Sequence, residues 1–314
     1  MGSGVTDGGE GAKPWLGLLG AAVAVTIWAG WISATRLAVT EAVDPLVLAF
    51  CRNVVPAVML LPLILRRGIV PRGASPGAVA LMTLGWGAPF AFFTATGLMT
   101  VPASLFAPLT PGLAPILVAL ISAAFFGERP GGAVLAGLVL VALSLALILG
   151  RWVVAVDAAA LAGAPWLLAA SLGLATYSVM FRRSGLTPAE ATGYVGLWSL
   201  PLLAPFMWLR PEAFAGLDAA TLGLHLVVQG LLSGLVAALA YALAIRHLGT
   251  VRGSMANALM PVAAALAGMW LLGERLGPLD WAAIALASLG VAAANGAFRL
   301  RLSPSRSGSS SPRS

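Results

Sequence analysis

The sequence predicts an all-α membrane protein: ten transmembrane helices arranged as two inverted-topology repeats of five. Three observations carry this. Ten apolar stretches, each long enough to cross a bilayer, fill most of the 314 residues. The chain is 60% hydrophobic and 9% charged, with a mean hydropathy of +0.96, where a soluble domain carries about 25% charged residues. Finally, one short motif occurs twice, close to half a chain apart.

A hydrocarbon core about 30 Å thick needs roughly 20 apolar residues in a helix rising about 1.5 Å each. On that measure the spans fall near 15–38, 45–65, 77–99, 102–126, 131–150, 159–181, 189–209, 219–246, 250–272 and 279–298. They read as helices because the apolar runs do not alternate, as membrane barrel strands do. The run from Leu135 to Leu149 is broken only by Gly137 and Ser144. The expected organisation is a flexible cytoplasmic leader at 1–14, a first five-helix repeat at 15–150, a linker at 151–158, a second repeat at 159–298 and a disordered cytoplasmic tail at 299–314. The leader is polar and Gly-rich, and the apolar run from Trp15 is too long for the core of a cleavable signal. Its opening Met-Gly-Ser-Gly-Val-Thr fits a myristoylation pattern only weakly. The tail is a Ser/Pro/Arg mixture with nothing to build a core.

Charge placement orients the spans. With the N-terminus in the cytoplasm, 13 of the 18 basic residues fall on that side, among them Lys13, Arg66, Arg67, Arg129, Arg182 and Arg183. Arg36, Arg151, Arg210 and Arg275 fall on the other, and Arg52 lies within a span. This bias favours cytoplasmic termini. The net charge of +7 is therefore a topology signal. It points to anionic lipid headgroups as partners and away from nucleic acid. Arginine in place of lysine, with abundant alanine and glycine, suggests a bacterial inner membrane. The lone Cys51 excludes an intrachain disulfide.

The repeated motif is Pro115-x3-Ala119-Leu120-x6-Gly127-Glu128-Arg129, which returns as Pro261-x3-Ala265-Leu266-x6-Gly273-Glu274-Arg275 at an offset of 146. Five spans per repeat is an odd number, so the second copy enters the membrane from the opposite side. Glu128 then faces the cytoplasm and Glu274 the exterior. Such inverted repeats recur in secondary transporters, where the halves exchange roles. Both glutamates precede a helix start marked by Pro130 or Pro278. There a carboxylate suits the unpaired amides, and both read as caps on the helix that follows.

The paired motif, Trp28-Ala29-Gly30, Pro45 with Phe50-Cys51-Arg52, Tyr177 with Arg182-Arg183, and the run from Tyr241 to Gly249 together resemble the EamA family of the drug/metabolite transporter superfamily. The resemblance spans roughly 15–298. It implies a ten-helix bundle with a cavity lined by spans 1, 3, 4, 6, 8 and 9, with spans 5 and 10 peripheral, and it implies transport of a small metabolite, such as an amino acid, often outward. The chain departs from the pattern in having no basic equivalent of Arg52 in its second half.

Candidate substrate-binding residues follow. Arg52 is the only basic residue deep in a span, which marks it as functional by default; the competing reading has it snorkelling outward to Asp44 or Glu41. Trp28 and Trp86 lie mid-span, where a flat ring can hold an apolar or cationic group or simply pack. Pro115 and Pro261 fall near mid-span in corresponding places, where kinks free backbone groups for a substrate. Tyr177, Gln229, Tyr241 and Asn257 can hydrogen-bond in a cavity or hold helices together. His225 and His247 have no metal-ligand neighbours, and no metal or cofactor is expected. No phosphate loop or zinc motif occurs, no acidic residue lies deep in a span, and the sole lysine precedes the first span. The leading expectation is a secondary transporter of small amphipathic metabolites working by alternating access, and not an enzyme. The alternatives are a polytopic enzyme acting on lipids and a non-transporting receptor or scaffold.

Overall fold

The computed structural model describes residues 13–71 and 73–295. Arg72, the tail at 299–314 and the expected leader up to residue 12 lie outside the described residues. The first half holds α1 (Pro14–Thr40), α2 (Pro45–Met59), α3 (Leu61–Arg67), α4 (Pro76–Trp86), α5 (Ala88–Gly97), α6 (Ala103–Leu109), α7 (Ala114–Phe126) and α8 (Gly132–Val154). The second holds α9 (Ala158–Ser184), α10 (Pro188–Leu209), α11 (Glu212–Ala215) and α12 (Ala219–His225). After these come a π-helical stretch (Leu226–Val236), α13 (Ala237–Ser254), a 3-10 stretch (Met255–Leu259), α14 (Met260–Leu272) and α15 (Pro278–Ala294). Only residues 155 to 157 separate α8 from α9, a shorter join than the predicted 151–158.

Seven of these helices or joined helices are long and apolar enough to cross a membrane, and the bent pair Pro45–Met59 with Leu61–Arg67 would make an eighth. The α15 helix is apolar but only 17 residues long. The α10 helix runs 22 residues with Pro201 and Pro205 inside it. Large apolar side chains such as Phe125, Trp208 and Trp270 cover the outer surface, as a chain solvated by lipid requires. At the ends, polar residues cap helices. Asp44 accepts from the Leu46 amide at 2.8 Å. Asp218 accepts from the Thr221 amide at 2.6 Å, and that bond holds its carboxyl below the ordinary carboxylate range.

The prolines act differently from expectation. Pro115 and Pro261 sit in the first turns of α7 and α14. A missing N–H costs no helical bond there, so they start helices rather than kink them. The interruptions lie just upstream: residues 110–113 separate α6 from α7, and the 3-10 stretch ends at Leu259. Leu113 and Leu259 are themselves 146 apart. The following helices match: α7 and α14 each have 13 residues and end at a glycine with φ of 67°. The Gly127 amide bonds to the Ala123 carbonyl at 3.2 Å and the Gly273 amide to Met269 at 3.1 Å. The Glu128 amide reaches Ser122 at 3.2 Å and the Glu274 amide Gly268 at 3.3 Å. These are two copies of one left-handed cap, a conformation that glycine adopts at no steric cost.

The two halves run oppositely. Arg36, near the end of α1, and Asp157, at the start of α9, line one cleft together with Glu274. Glu128 meets Arg183 in the last turn of α9. With 27 residues, α9 spans about 40 Å, so the two motif glutamates occupy opposite ends of the molecule. The start of α1 lies at the Glu128 end, where the Lys13 amide donates to His247 Nδ1 at 3.3 Å.

Close glycine contacts draw the helices together. A Cβ on Gly137 of α8 would stand 2.6 Å from the Gly290 carbonyl of α15, and one on Gly290 would stand 2.7 Å from Gly137 O. Beside them Ser144 Oγ donates to the Ala283 carbonyl at 2.7 Å. Small residues substitute here for the hydrophobic drive that is absent between helices in lipid. The main buried cluster combines Trp31 and Ile32 of α1, Phe90 of α5, Leu105 and Phe106 of α6, Trp152 of α8 and Leu167 of α9.

Candidate functional site

The site grows from α2. Arg52 projects from its middle and is 4% exposed. It does not snorkel: the expected partner Asp44 takes Arg210 at 2.8 Å instead, and among the described residues no ion pair includes Arg52. Its Nη1 donates to Ser233 Oγ at 2.6 Å. Its Cζ lies 4.5 Å from the ring centre of Trp31, 5.1 Å from Trp86 and 5.6 Å from Phe90.

Each ring has a local reason for its place. Trp86 ends α4 at the break formed by Gly87, whose ψ of −137° turns the chain before α5 begins. A Cβ at Gly87 would collide with Ser199 Oγ and the Thr83 carbonyl. Phe90 follows in the first turn of α5, 4.4 Å from Trp86 between centroids. Trp31 Nε1 donates to Gln229 Oε1, Gln229 Nε2 donates to Thr35 Oγ1 at 3.0 Å, and Thr35 Oγ1 donates back to the Trp31 carbonyl at 2.8 Å. Gln229 and Ser233 both stand on the π-helical stretch, a widened turn of a kind that recurs at functional sites.

A second aromatic group adjoins the first. Trp28 Nε1 donates to the Ser233 carbonyl at 3.3 Å, the Trp28 and Tyr241 rings lie 5.6 Å apart, and Asn257 Nδ2 donates to the Tyr241 hydroxyl at 2.9 Å. In the other direction Trp86 stacks on Tyr177 at 5.7 Å, and Tyr177 lies parallel to Phe181 at the same spacing. The structure thus brings together seven of the nine candidates: Trp28, Arg52, Trp86, Tyr177, Gln229, Tyr241 and Asn257. Among the described residues no hydrogen bond or ring contact joins Pro115 or Pro261 to these groups.

Three residues that touch Arg52 were not among the candidates. Trp31 had a usable signal: subtracting the repeat offset of 146 from Tyr177 lands on it. Phe90 and Ser233 are one phenylalanine and one serine among many, made special only by folding.

The electrostatics are unbalanced. Withdrawing an ion from water costs several kcal/mol in a real protein interior. A desolvated cation over an aromatic face recovers about 2 kcal/mol, and one neutral hydrogen bond to a charged group about 1.5–3 kcal/mol. With one Nη1 donor bonded to Ser233, the guanidinium has further N–H donors of the kind that meet a carboxylate in a forked geometry.

The motif glutamates do not cap the helices that follow them. The N-cap of α8 is Gly131, and the Gly277 amide at the start of α15 is bonded by Asp280 at 2.9 Å. Glu274 instead accepts from the first amides of α6, Ala103 at 2.7 Å and Ser104 at 2.8 Å. Glu128 is bound by Arg183 at 2.5 Å and Arg182 at 3.6 Å. Among the described residues no group of three His, Cys, Asp or Glu side chains could hold a metal ion.

The profile of the EamA-like transporter family matches residues 15–150 and again 161–296. The chain belongs to the EamA-like transporter family. Its two matches cover the two halves that the repeat offset and the antiparallel α1 and α9 define. Membership and the apolar helices make this a multi-pass membrane protein of a family that transports small solutes. No curated protein matches the sequence. Eighteen solved chains match in structure. One crystal structure covers 92% of this EamA chain and 100% of its own, with a TM-score of 0.59 and 22% identity, a likeness of fold alone.

Proposed function

We propose that this EamA protein is a ten-span secondary transporter, with α10 and α15 completing the count, which exports a small amphipathic carboxylate across a bacterial inner membrane. An amino acid or a related solute fits that description. The halves 15–150 and 159–298 exchange roles in alternating access, and both termini lie in the cytoplasm with Glu128, Arg182 and Arg183. The observation that carries this reading is Arg52, a buried guanidinium beside three aromatic rings and with no ion pair among the described residues. A substrate carboxylate supplies the missing charge. Trp31, Trp86 and Phe90 hold the apolar part. Gln229 and Ser233, with Trp28, Tyr241, Asn257 and Tyr177, line the way in, and on this reading the breaks before Pro115 and Pro261 free backbone groups for the substrate in the opposite state. The test is flux in proteoliposomes for a panel of metabolites paired with their neutral amides. Carboxylates that move while their amides do not support the assignment; equal movement of both, or of neither, overturns it.

A further inference from the structure

The two copies of the Gly-Glu-Arg motif are alike in backbone yet differ in what their carboxylates hold. Glu274 is docked on the amides of Ala103 and Ser104. The α6 segment behind this contact is sealed: Ala103, Ser104, Leu105, Phe106 and Ala107 are all at most 2% exposed. Arg36 stands close enough to Glu274 for their charges to interact and lines the same cleft. The offset of 146 carries Ala103 and Ser104 onto Gly249 and Thr250, Phe106 onto Arg252, and Arg36 onto Arg182. At that end the described counterparts are more open, although Gly253, the counterpart of Ala107, is buried. Gly249 and Arg252 are exposed, and Gly249 breaks α13 with a φ of 79°. Glu128 is partly exposed and held by Arg183 and by Arg182, the counterpart of Arg36. Each glutamate therefore has an arginine from the opposite half beside it, but only Glu274 is inserted at a helix start.

We propose that Glu274 and Glu128 are alternating latches. In this state Glu274 closes its end by bridging α14 to α6. In the opposite state Glu128 closes the other end by docking on the amides of Gly249 and Thr250, with Gly249 as the residue that gives way, while Glu274 retires to Arg36. A carboxylate is suited to the task because a helix start offers it unpaired amides and a favourable dipole, whereas an exposed arginine holds it weakly enough to let go. A bistable interface of this kind, rather than gradual deformation, is how packed elements switch. The latch rests on the alternating-access reading but needs no substrate to be observed.

The test is labelling with a membrane-impermeant maleimide in a Cys51→Ala background. Ser104→Cys reports opening at the Glu274 end, and Arg252→Cys reports opening at the Glu128 end. Glu274→Gln is expected to raise Ser104→Cys labelling about tenfold and to lower that of Arg252→Cys, since two charge-assisted bonds are weakened. Glu128→Gln is expected to act in the reverse sense on both reporters. Glu274→Asp, with a shorter carboxylate, should fall between, and gel filtration identifies any variant that unfolds. Both reporters moving in the same direction in folded protein, or Glu128→Gln moving neither, overturns the proposal. Opposed shifts in a protein that carries no carboxylate flux would leave the latch standing and remove the substrate assignment alone.

Discussion

Arg52→Gln separates a transport arginine from a structural one. In the folded chain the substitution removes the 2.6 Å bond to Ser233 and three ring contacts. Together these amount to a few kcal/mol. It also removes a buried cation that no carboxylate compensates among the described residues, whose burial costs several kcal/mol. The terms oppose each other at similar size, so the variant should fold with an unchanged or higher Tm, as happens where activity is maintained at the expense of stability. Transport should respond differently. Removing one partner of a buried charge pair costs about 3 kcal/mol, which is roughly 100-fold in affinity. The expected result is a KM for carboxylate substrates raised roughly 100-fold, with neutral analogues unaffected. Arg52→Lys should recover only part of this, because lysine offers a point charge and no planar fork to meet a carboxylate in two bonds. The assay is initial flux in proteoliposomes beside a thermal melt of the same preparation. Loss of folded protein in Arg52→Gln would refute the balance of energies, and wild-type flux from a folded variant would refute the substrate contact.

Other expectations can be checked directly. Reporter fusions after Arg67 and Arg183 should read cytoplasmic and one after Glu212 external; a cytoplasmic signal at Glu212 would reverse the orientation. Gly290→Leu should cost more than about 2 kcal/mol by forcing α15 away from Gly137, seen as a lower Tm or yield, whereas Ser144→Ala beside it should cost only about 1 kcal/mol. Trp86→Leu keeps an apolar side chain but loses the stacking surface between Arg52 and Tyr177; apparent affinity should fall roughly fivefold for solutes with large apolar parts and little for small ones.

The helical spans, the duplication and the antiparallel halves were legible in the chain because each depends on composition or on spacing. Leu135 to Leu149 reads as lipid-spanning without any partner, and the Gly-Glu-Arg copies align without a gap. The interruptions were harder. Pro115 announces itself as a helix breaker, yet the same fixed φ suits a first turn, and the break at residues 110–113 puts it there. The break at Gly87 has no proline before it; it depends on Ser199 and Thr83 crowding a position that a Cβ could not share.

The chemistry of the site divides along the same line. A lone arginine inside an apolar span is conspicuous, and so are Trp86 and Tyr177. That Arg52 faces Ser233 and not Asp44 is a fact of tertiary packing, since Ser233 is 181 residues away and reaches it through a π-helical turn no local pattern announces. The glutamates show the converse. Their position before a helix start is a correct local observation that suggests a local cap, but Glu274 finds its amides 170 and 171 residues back, on α6. The result is a separation of charges by depth. The motif carboxylates work at the ends, where arginines and helix starts can share them. The centre holds a guanidinium that stays charged at physiological pH beside rings and neutral polar groups. A chain arranged in this way has no carboxylate partner of its own to balance Arg52 there among the described residues. On the proposed reading the balance comes from the cargo, and the loaded carrier, not the empty one, is the electrically satisfied state.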